Sequence, residues 1–569
     1  MEWIKRKPKI DYRKTDDVIT KIAKIRGIEE YEIDDFLNPT EEELFDASEM
    51  RNAIKASERI KKAIDENQNI VISIDPDVDG ITSGVIAIRF LKNYTDNVEY
   101  IYQQREDGHG VYTQLKDTDE SEREELNENN RNKVKNAELL IIVDSSSNDF
   151  KGIEKINELN NNLDIIILDH HQIEESEQNI DDYVLLVNPQ HKDCEYPNKH
   201  LSGAGVVFKV MGLVNELMSI QNVNINQYSD LVAVGLVGDL MRVDILENRY
   251  LISNGLRNIK NVGITRILKG AKQNPNFVTS TTVGFSIAPI INGSARMGQI
   301  ELAIEILLTD DDNVAKKLRL QMDKLNKQRR EIQAELVNKY EKQVDTKDKI
   351  IIIYDENSNS GFNGLVAQDL SQKYQRPVFV LRDHGGFMSG SGRSYGGFDT
   401  QSLMLGLDYV EANGHSQAHG LSFPSEKLQE VKEYIVKNVK TIKAKEPVLY
   451  YDFEIEADEA LEYIEAIENF NYISGIGFPK IIVKVTNITV SERSVIGKLN
   501  NTVKWDSIEG MNFIKFRVSE EYGSDVDLFD EMVAVGELQM NVFYNFKTRE
   551  TIRTPQLLLN DYRKVWFFV

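Results

Sequence analysis

Cysteine is all but missing from the 569-residue chain, where Cys194 stands alone. One thiol excludes an intrachain disulfide and fits a reducing compartment, so a cytoplasmic protein is expected. One Cys and eight His are also too few for a structural zinc cluster of the Cys-rich kind. Long apolar runs are absent as well: none approaches the roughly 18 residues of a membrane span, so no membrane association is expected. Residues 1–14, MEWIKRKPKIDYRK, are basic but no apolar stretch follows, so no secretory signal is read there. Positive charge is scarce, with 68 Lys and Arg against 92 Asp and Glu and a net charge of −24. Alone, that deficit favours a small-molecule enzyme or a binder of basic partners over a nucleic-acid protein. Charge is arranged locally, however: residues 313–342 hold nine Lys and Arg against four Asp and Glu. With 41% hydrophobic and 28% charged residues the chain is globular, and its length predicts three or four domains.

No internal repeat or low-complexity tract interrupts the sequence. Residues 15–68 carry a helical pattern broken at Asn38-Pro39. Apolar strands follow at NIVISI, ELLIIV (138–143) and DIIIL (164–168), separated by helical or loop sequence. Strands of this kind predict a parallel α/β sheet covered on both faces, with ligands beyond the strands' carboxyl ends. Each run ends in an acidic residue: Asp75, Asp144 and Asp169. Residues 313–342 predict one long amphipathic helix, which could equally be a solvated surface helix. A second α/β unit begins at KIIIIYDE (349–356), and after Glu446-Pro447 short alternating strands predict an all-β module, plausibly a small OB-type barrel.

SIDPDVDGITSG sets Asp75, Asp77 and Asp79 on a strand-to-helix turn that Gly80 permits. Such a cluster either sits solvated in a loop or binds cations. An EF-hand loop also begins D-x-D-x-D-G, but Ile86 stands where its terminal Glu belongs. Asp144 in IIVDSSSND would ordinarily be read as a helix cap. Asp169-His170-His171 and Asp239, the latter in the apolar segment LVAVGLVGDLMRV, are harder to explain structurally. Mixed Asp and His donors suit Mn²⁺ or Mg²⁺ better than a thiolate-bound zinc.

The ordered set DPDVDG, VDSSS, LDHH and VGD resembles the four motifs of the DHH phosphoesterases. Further segments resemble RecJ-like exonucleases of the DHH/DHHA1 superfamily: IAKIRGI with DDFLNP, REDGHG (105–110), VNPQHKDCEYP with LSGAGVVFKV, INGSARMG, GSGRS, NGHSQAHG, and VGELQMNVFYN with RTPQLLLNDYR. The similarity runs in order over nearly the whole chain. It departs at DSSS, where Cys-Gly or Asn-Gly commonly follows the Asp, and at Ile290, where an Arg is usual. Asn413 and His419 replace Gly and Ala, and Thr502 replaces a frequent His.

The resemblance implies an α/β fold: a DHH parallel-sheet domain, a long helix, an α/β DHHA1 domain and a C-terminal all-β OB-like domain. The expected boundaries are 1–68 for a helical region packed on the catalytic domain, 69–312 for that domain, 313–345 for the helix, 346–445 for the substrate-binding domain and 446–569 for the OB-like nucleic-acid-binding domain. It implies two divalent metals, Mn²⁺ or Mg²⁺. Asp77 and Asp144, with Asp75 nearby, would hold one; Asp79, Asp144, His170 and Asp239 the other. His171 would touch a phosphoryl oxygen. Arg393 and His415 would grip phosphate, with Ser391, Arg105 and Arg296 also in the substrate site and Tyr544 and Phe546 as stacking contacts. The implied activity is 5′→3′ degradation of single-stranded DNA to mononucleotides by a monomer, in recombination, repair or replication, with a single-strand-binding protein or a helicase as partner. An oligoribonuclease or cyclic dinucleotide phosphodiesterase is the main alternative, and an inactive replication scaffold a second.

Overall fold

The computed structural model describes residues 2–118, 121–174, 180, 183–218, 223–439, 448–497, 500–545 and 550–565. Glu2–Lys5 (β1) is a strand, so the N-terminal region is not helical from its start. Helices α1 (Val18–Arg26) and α2 (Ala53–Asp65) follow, the first capped by Asp17, whose side chain accepts from the Thr20 amide. The three apolar runs become β2 (Ile70–Ile74), β4 (Leu139–Val143) and β5 (Asp164–Leu168). With β3 (Val98–Tyr102) and β6 (Leu185–Val187) they form a parallel sheet of order β3-β2-β4-β5-β6. Ile70, Ile72 and Ile74 face one core and Val71 the other, so β2 is buried on both sides. Because β3 and β4 flank β2 on opposite sides, the chain reverses its winding between β2 and β4. A crevice opens at their carboxyl ends.

Helix α3 (Val78–Leu91) leaves β2 directly, and α4 (Phe150–Leu159) follows β4. Helices α5 (Gly203–Leu217) and α6 (Ser229–Gly238) pack against α3, α7 (Leu246–Arg257) packs on α6, and α8 (Ala288–Arg296) closes this half of the molecule. The predicted long helix is α9 (Asp312–Glu341). Its start gives Ala315, Leu318 and Met322 to the core of the parallel sheet, and its end gives Tyr340 to the core of the next unit. That unit holds β7 (Ile351–Tyr354), α10 (Ser360–Tyr374), β8 (Val378–His384), β9 (Phe387–Arg393), β10 (Glu411–His415) and β11 (Ala418–Pro424). Its sheet, β10-β11-β9-β8-β7, is parallel only between β7 and β8.

After β12 (Val448–Tyr451) and β13 (Phe453–Glu456), helix α11 (Ala460–Asn471) leads into β14 (Val483–Ile496), β15 (Thr502–Ser507), β16 (Asn512–Phe516), β17 (Glu531–Asn545) and β18 (Glu550–Lys564). The order β14-β15-β16-β18-β17 closes on itself because β17 also pairs with β14. With the parallel β16–β18 pair this is an OB-type barrel, and closure leaves its strands no free edge. Trp505 fills its interior. The barrel is not an appendage: residues of α1, α5, α11 and β14 belong to one continuous core. Strand β1 pairs in parallel with β12. Beside this pair the buried Asp452 meets Arg26 at 2.8 Å and Arg6 at 3.4 Å.

Candidate active site

Six of the predicted ligands meet in the crevice between β2 and β4. Asp75 ends β2. Asp77 caps α3, its Oδ1 accepting from the amides of Asp79 at 3.0 Å and Gly80 at 3.1 Å. Asp144 follows β4 at φ 57°, a strained conformation of the kind held at functional sites. His170 follows β5, and Asp239 lies at the carboxyl end of α6. Gly80 has an ordinary helical φ, so the glycine is not needed for its dihedral. A β-carbon there would stand 2.5 Å from the Asp75 carbonyl oxygen, and this close approach is what excludes a side chain.

The ligand atoms fall into two adjoining sets. Asp75, Asp77 and Asp144 form one, and Asp79, His170 and Asp239 the other, each within 4.8 Å. His170 Nε2 lies 3.1 Å from Asp144 Oδ1, 3.4 Å from Asp239 and 3.8 Å from Asp79. Asp144 Oδ1 and His170 Nε2 are both buried, and neither has a hydrogen-bond partner among the described residues. Buried polar atoms are rarely left so. Aimed at a common point among carboxylates, they fit a divalent cation with oxygen and nitrogen donors.

Electrostatics give the same picture. Burial, and then Asp79, Asp77 and Asp239, push the Asp144 carboxyl well above the usual carboxylate range. Burial and the neighbouring carboxylates raise Asp79 to about 6 and Asp239 to about 8. Asp77 is the exception: burial opposes its charge, but Arg105, His109 and the Gly80 amide hold it below its ordinary value. Burial lowers His170 to about 4, leaving a neutral imidazole whose other nitrogen faces the Leu201 carbonyl. Carboxylates this close cannot all ionise without compensating positive charge.

Asp169 belongs to a third such group but is already used. It accepts from the His170 and His171 amides, from His171 Nδ1 at 2.8 Å, and from the Ser147 amide and hydroxyl. It therefore orients His171, which is more than half exposed, at 55%, and faces the crevice. Burial opposes its charge, but Asp169 and the surrounding carboxylates raise His171 to about 10. Ser147, part of the departing DSSS segment, is thus an anchor for Asp169. Asn188 donates to its hydroxyl at 2.9 Å.

The predicted arginines gather near Asp77. Arg105 donates to the Pro76 carbonyl and stands 3.8 Å from Asp77. Arg296 donates to the Gly361 carbonyl at the start of α10. Burial and then Arg105, Arg329 and Arg393 weaken the proton affinity of Arg296, so four guanidiniums lie within electrostatic reach of one another. Ser391 lines a cavity of about 350 Å³ between Asp107 and Gly108 on one side and Asn363, Arg382 and Asn413 on the other. Ile290 is 5% exposed and packed in the main core, so it presents nothing to the crevice. His415 lies on β10, opposite Ala418. The side chains of His415 and Tyr544, and all of Phe546, lie outside the described residues.

The sequence reading did not single out His109, Asp169 as an orienting group, Arg329 or Arg382. His109 Nδ1 lies 2.7 Å from Asp75 Oδ2 and is the one with a signal, since it stands inside the REDGHG segment.

Residues 69–236 match the model of the DHH family, N-terminal domain. The chain is 27% identical over 551 residues to the single-stranded-DNA-specific exonuclease RecJ of Bacillus subtilis, covering 92% of this chain and 65% of that protein. It is 26% identical to YorK, an SPbeta prophage protein of Bacillus subtilis that carries the name of a single-strand DNA-specific exonuclease, over 95% of both chains. The crystal structure of RecJ from Thermus thermophilus in complex with Mn²⁺ matches 97% of this chain and 76% of that one, with a TM-score of 0.76 at 21% identity. Motifs, site geometry and fold agree in what they resemble: residues 69–236 match the DHH family, and nearly the whole chain is similar to RecJ exonucleases.

Proposed function

We propose that the chain is a metal-dependent exonuclease that degrades single-stranded DNA from the 5′ end to mononucleotides. The observation that carries this reading is the pair of ligand sets sharing the crevice with Asp144 and His170, faced by clustered arginines. Asp77, Asp144 and Asp75 hold one divalent ion, Mn²⁺ or Mg²⁺; Asp79, Asp144, His170 and Asp239 hold the second. Bound there, such ions lower the pKa of water and neutralise charge on the scissile phosphate. The chain's own residues do the rest. Asp169 fixes the ring of His171, which donates to a phosphoryl oxygen. Arg105, Arg296 and Arg393 grip phosphates with planar forks, and Ser391 and His415 add hydrogen bonds. The gathered ligands argue against a silent scaffold.

In this reading residues 69–312 are catalytic, 313–345 set the spacing of the lobes, 346–445 bind substrate and 446–569 contact the strand. The RecJ name of several relatives supports DNA as substrate, and the barrel supports a long strand over a dinucleotide. Protein partners are a single-strand-binding protein or a helicase, with the enzyme a monomer in the cytoplasm. The test is hydrolysis of single-stranded DNA and RNA labelled at either end, with Mn²⁺ or with EDTA. Release of 5′ label first, from DNA and only with metal, is expected. Release of 3′ label first would reverse the polarity, and preference for RNA the substrate.

A further inference from the structure

The basic residues that begin the sequence play no part in the crevice, and the structure gives them a place of their own. Lys5, Lys7 and Lys9 are exposed and line a groove of about 520 Å³. Its floor is apolar and aromatic: Ile4, Ile25, Tyr450 and Phe478. Arg6 and Arg26 also line it but are turned to the buried Asp452. Among the described residues no acidic side chain lines the groove, in a chain whose net charge is −24.

Lys5 ends β1, Lys7 follows it without regular structure and Lys9 stands at a bend, with Arg6 and Pro8 between them. Three exposed ammonium groups beside the half-exposed Tyr450 ring suit a flexible polyanion with stackable bases better than a compact anion. The groove also adjoins the barrel. Trp3 on β1 donates to Asp561 on β18 at 2.9 Å, and Arg563 lies 4.2 Å over its ring. We infer that the Lys5–Lys9 groove is a second binding site for the phosphodiester backbone of single-stranded DNA, outside the catalytic crevice. The inference rests on the single-strand reading above. It adds where a chain with so few positive charges holds the part of the strand not being cut.

The test removes three charges at once, Lys5→Gln/Lys7→Gln/Lys9→Gln, and leaves Arg6 and Arg26 to hold Asp452. Lys7→Gln/Lys9→Gln, which spares β1, guards against a folding defect. Binding of a fluorescein-labelled oligo(dT) strand is followed by anisotropy in EDTA over a range of salt, and hydrolysis of a tetranucleotide is followed with Mn²⁺. The triple variant should bind the long strand roughly tenfold more weakly near physiological salt, with a log–log salt slope shallower by about two. Tetranucleotide turnover and melting temperature should match the wild type. If the variants bind the long strand with wild-type affinity and slope while the wild type degrades it, the groove is not a strand site and the exonuclease reading survives. If an oligo-glutamate peptide binds the wild type but not the variants, and DNA binding is equal in both, the groove takes an acidic protein segment and the inference fails. A wild type that neither binds nor degrades the strand removes both readings.

Discussion

A carboxylate oxygen 3.1 Å from an imidazole nitrogen, both buried and neither hydrogen-bonded among the described residues, is held for something other than its neighbour. Asp144 Oδ1 and His170 Nε2 stand this way, and the strained φ of Asp144 fits a position set by function. Because Asp144 belongs to one ligand set and its Oδ1 lies 3.1 Å from His170 Nε2 of the other, Asp144→Ala should reduce Mn²⁺-dependent turnover about a thousandfold or more while circular dichroism stays unchanged. Retained turnover would mean the two sets do not act as one centre. Asp239 carries a different cost. Its carboxyl keeps its proton to about pH 8 in the folded, metal-free protein. Unfolded, it releases that proton near 3.8. Between those values the folded state binds more protons, so its contribution to stability is present at low pH and lost as pH rises. Asn does not ionise, so Asp239→Asn should melt about 2–5 °C above the wild type in EDTA at pH 9, with little difference at pH 5 and no activity with Mn²⁺. Equal melting at both pH values would show that the carboxylate crowding costs nothing. Asp75, Asp144, His170 and Asp239 were legible because they stand at or just past the end of apolar runs, and Asp77 and Asp79 because they crowd beside Asp75 on one turn. His109 on Asp75 and Arg329 near Arg296 were not, because their roles depend on segments that only folding brings together.

Helix ends do much of the positioning. The first amides of α5 donate to Asp79, from Gly203 at 2.6 Å and Ala204 at 3.2 Å, so a helix N-terminus steadies a ligand carboxylate. Helix α6 passes so close that a β-carbon at Gly235 would stand 2.3 Å from Asp79 Oδ1 and 2.7 Å from the Ala204 methyl. Gly235→Ala must therefore move Asp79, α5 or both. It should weaken Mn²⁺ binding about 10- to 100-fold by calorimetry, while a fold held by so many other contacts persists. Unaltered affinity would mean that Asp79 is not a ligand. At this scale the sequence predicted type better than pairing. Strands β2, β4 and β5 read clearly because β-branched residues fill them, and α9 showed a helical period of apolar residues along its length. The β8–β9 and β10–β11 hairpins did not, since GSGRS and NGHSQAHG are glycine-rich and polar where they face the cavity, and periodicity fails there. Barrel closure was also hidden, because alternation marks a strand but not its neighbour.

Across the whole molecule, the β-barrel reads in sequence as a module of its own, since the texture changes sharply after Pro447. The structure joins it to the catalytic half through one core. Phe36, Phe470 and Phe478 form an aromatic cluster with ring centroids 4.9 to 6.3 Å apart. Arg249 lies 3.6 Å over Phe36 and donates to the carbonyls of Phe36, Val243 and Ile473. That guanidinium is 1% exposed, so removing its partners would leave a buried charge unpaired. A chain ending at residue 447 would expose this surface, and loss of its activity would reveal nothing about strand binding. A substitution in the seam separates the possibilities. Phe470 is fully buried on α11, far along the chain from every proposed ligand. Phe470→Ala should cost about 3–5 kcal/mol by denaturant titration. If the catalytic half and the barrel share one core, Mn²⁺-dependent hydrolysis of a tetranucleotide and binding of a long strand should fail together, at the same lowered temperature. If tetranucleotide hydrolysis survives to the wild-type temperature while strand binding is lost early, the two halves unfold independently. The barrel would then be a module of its own.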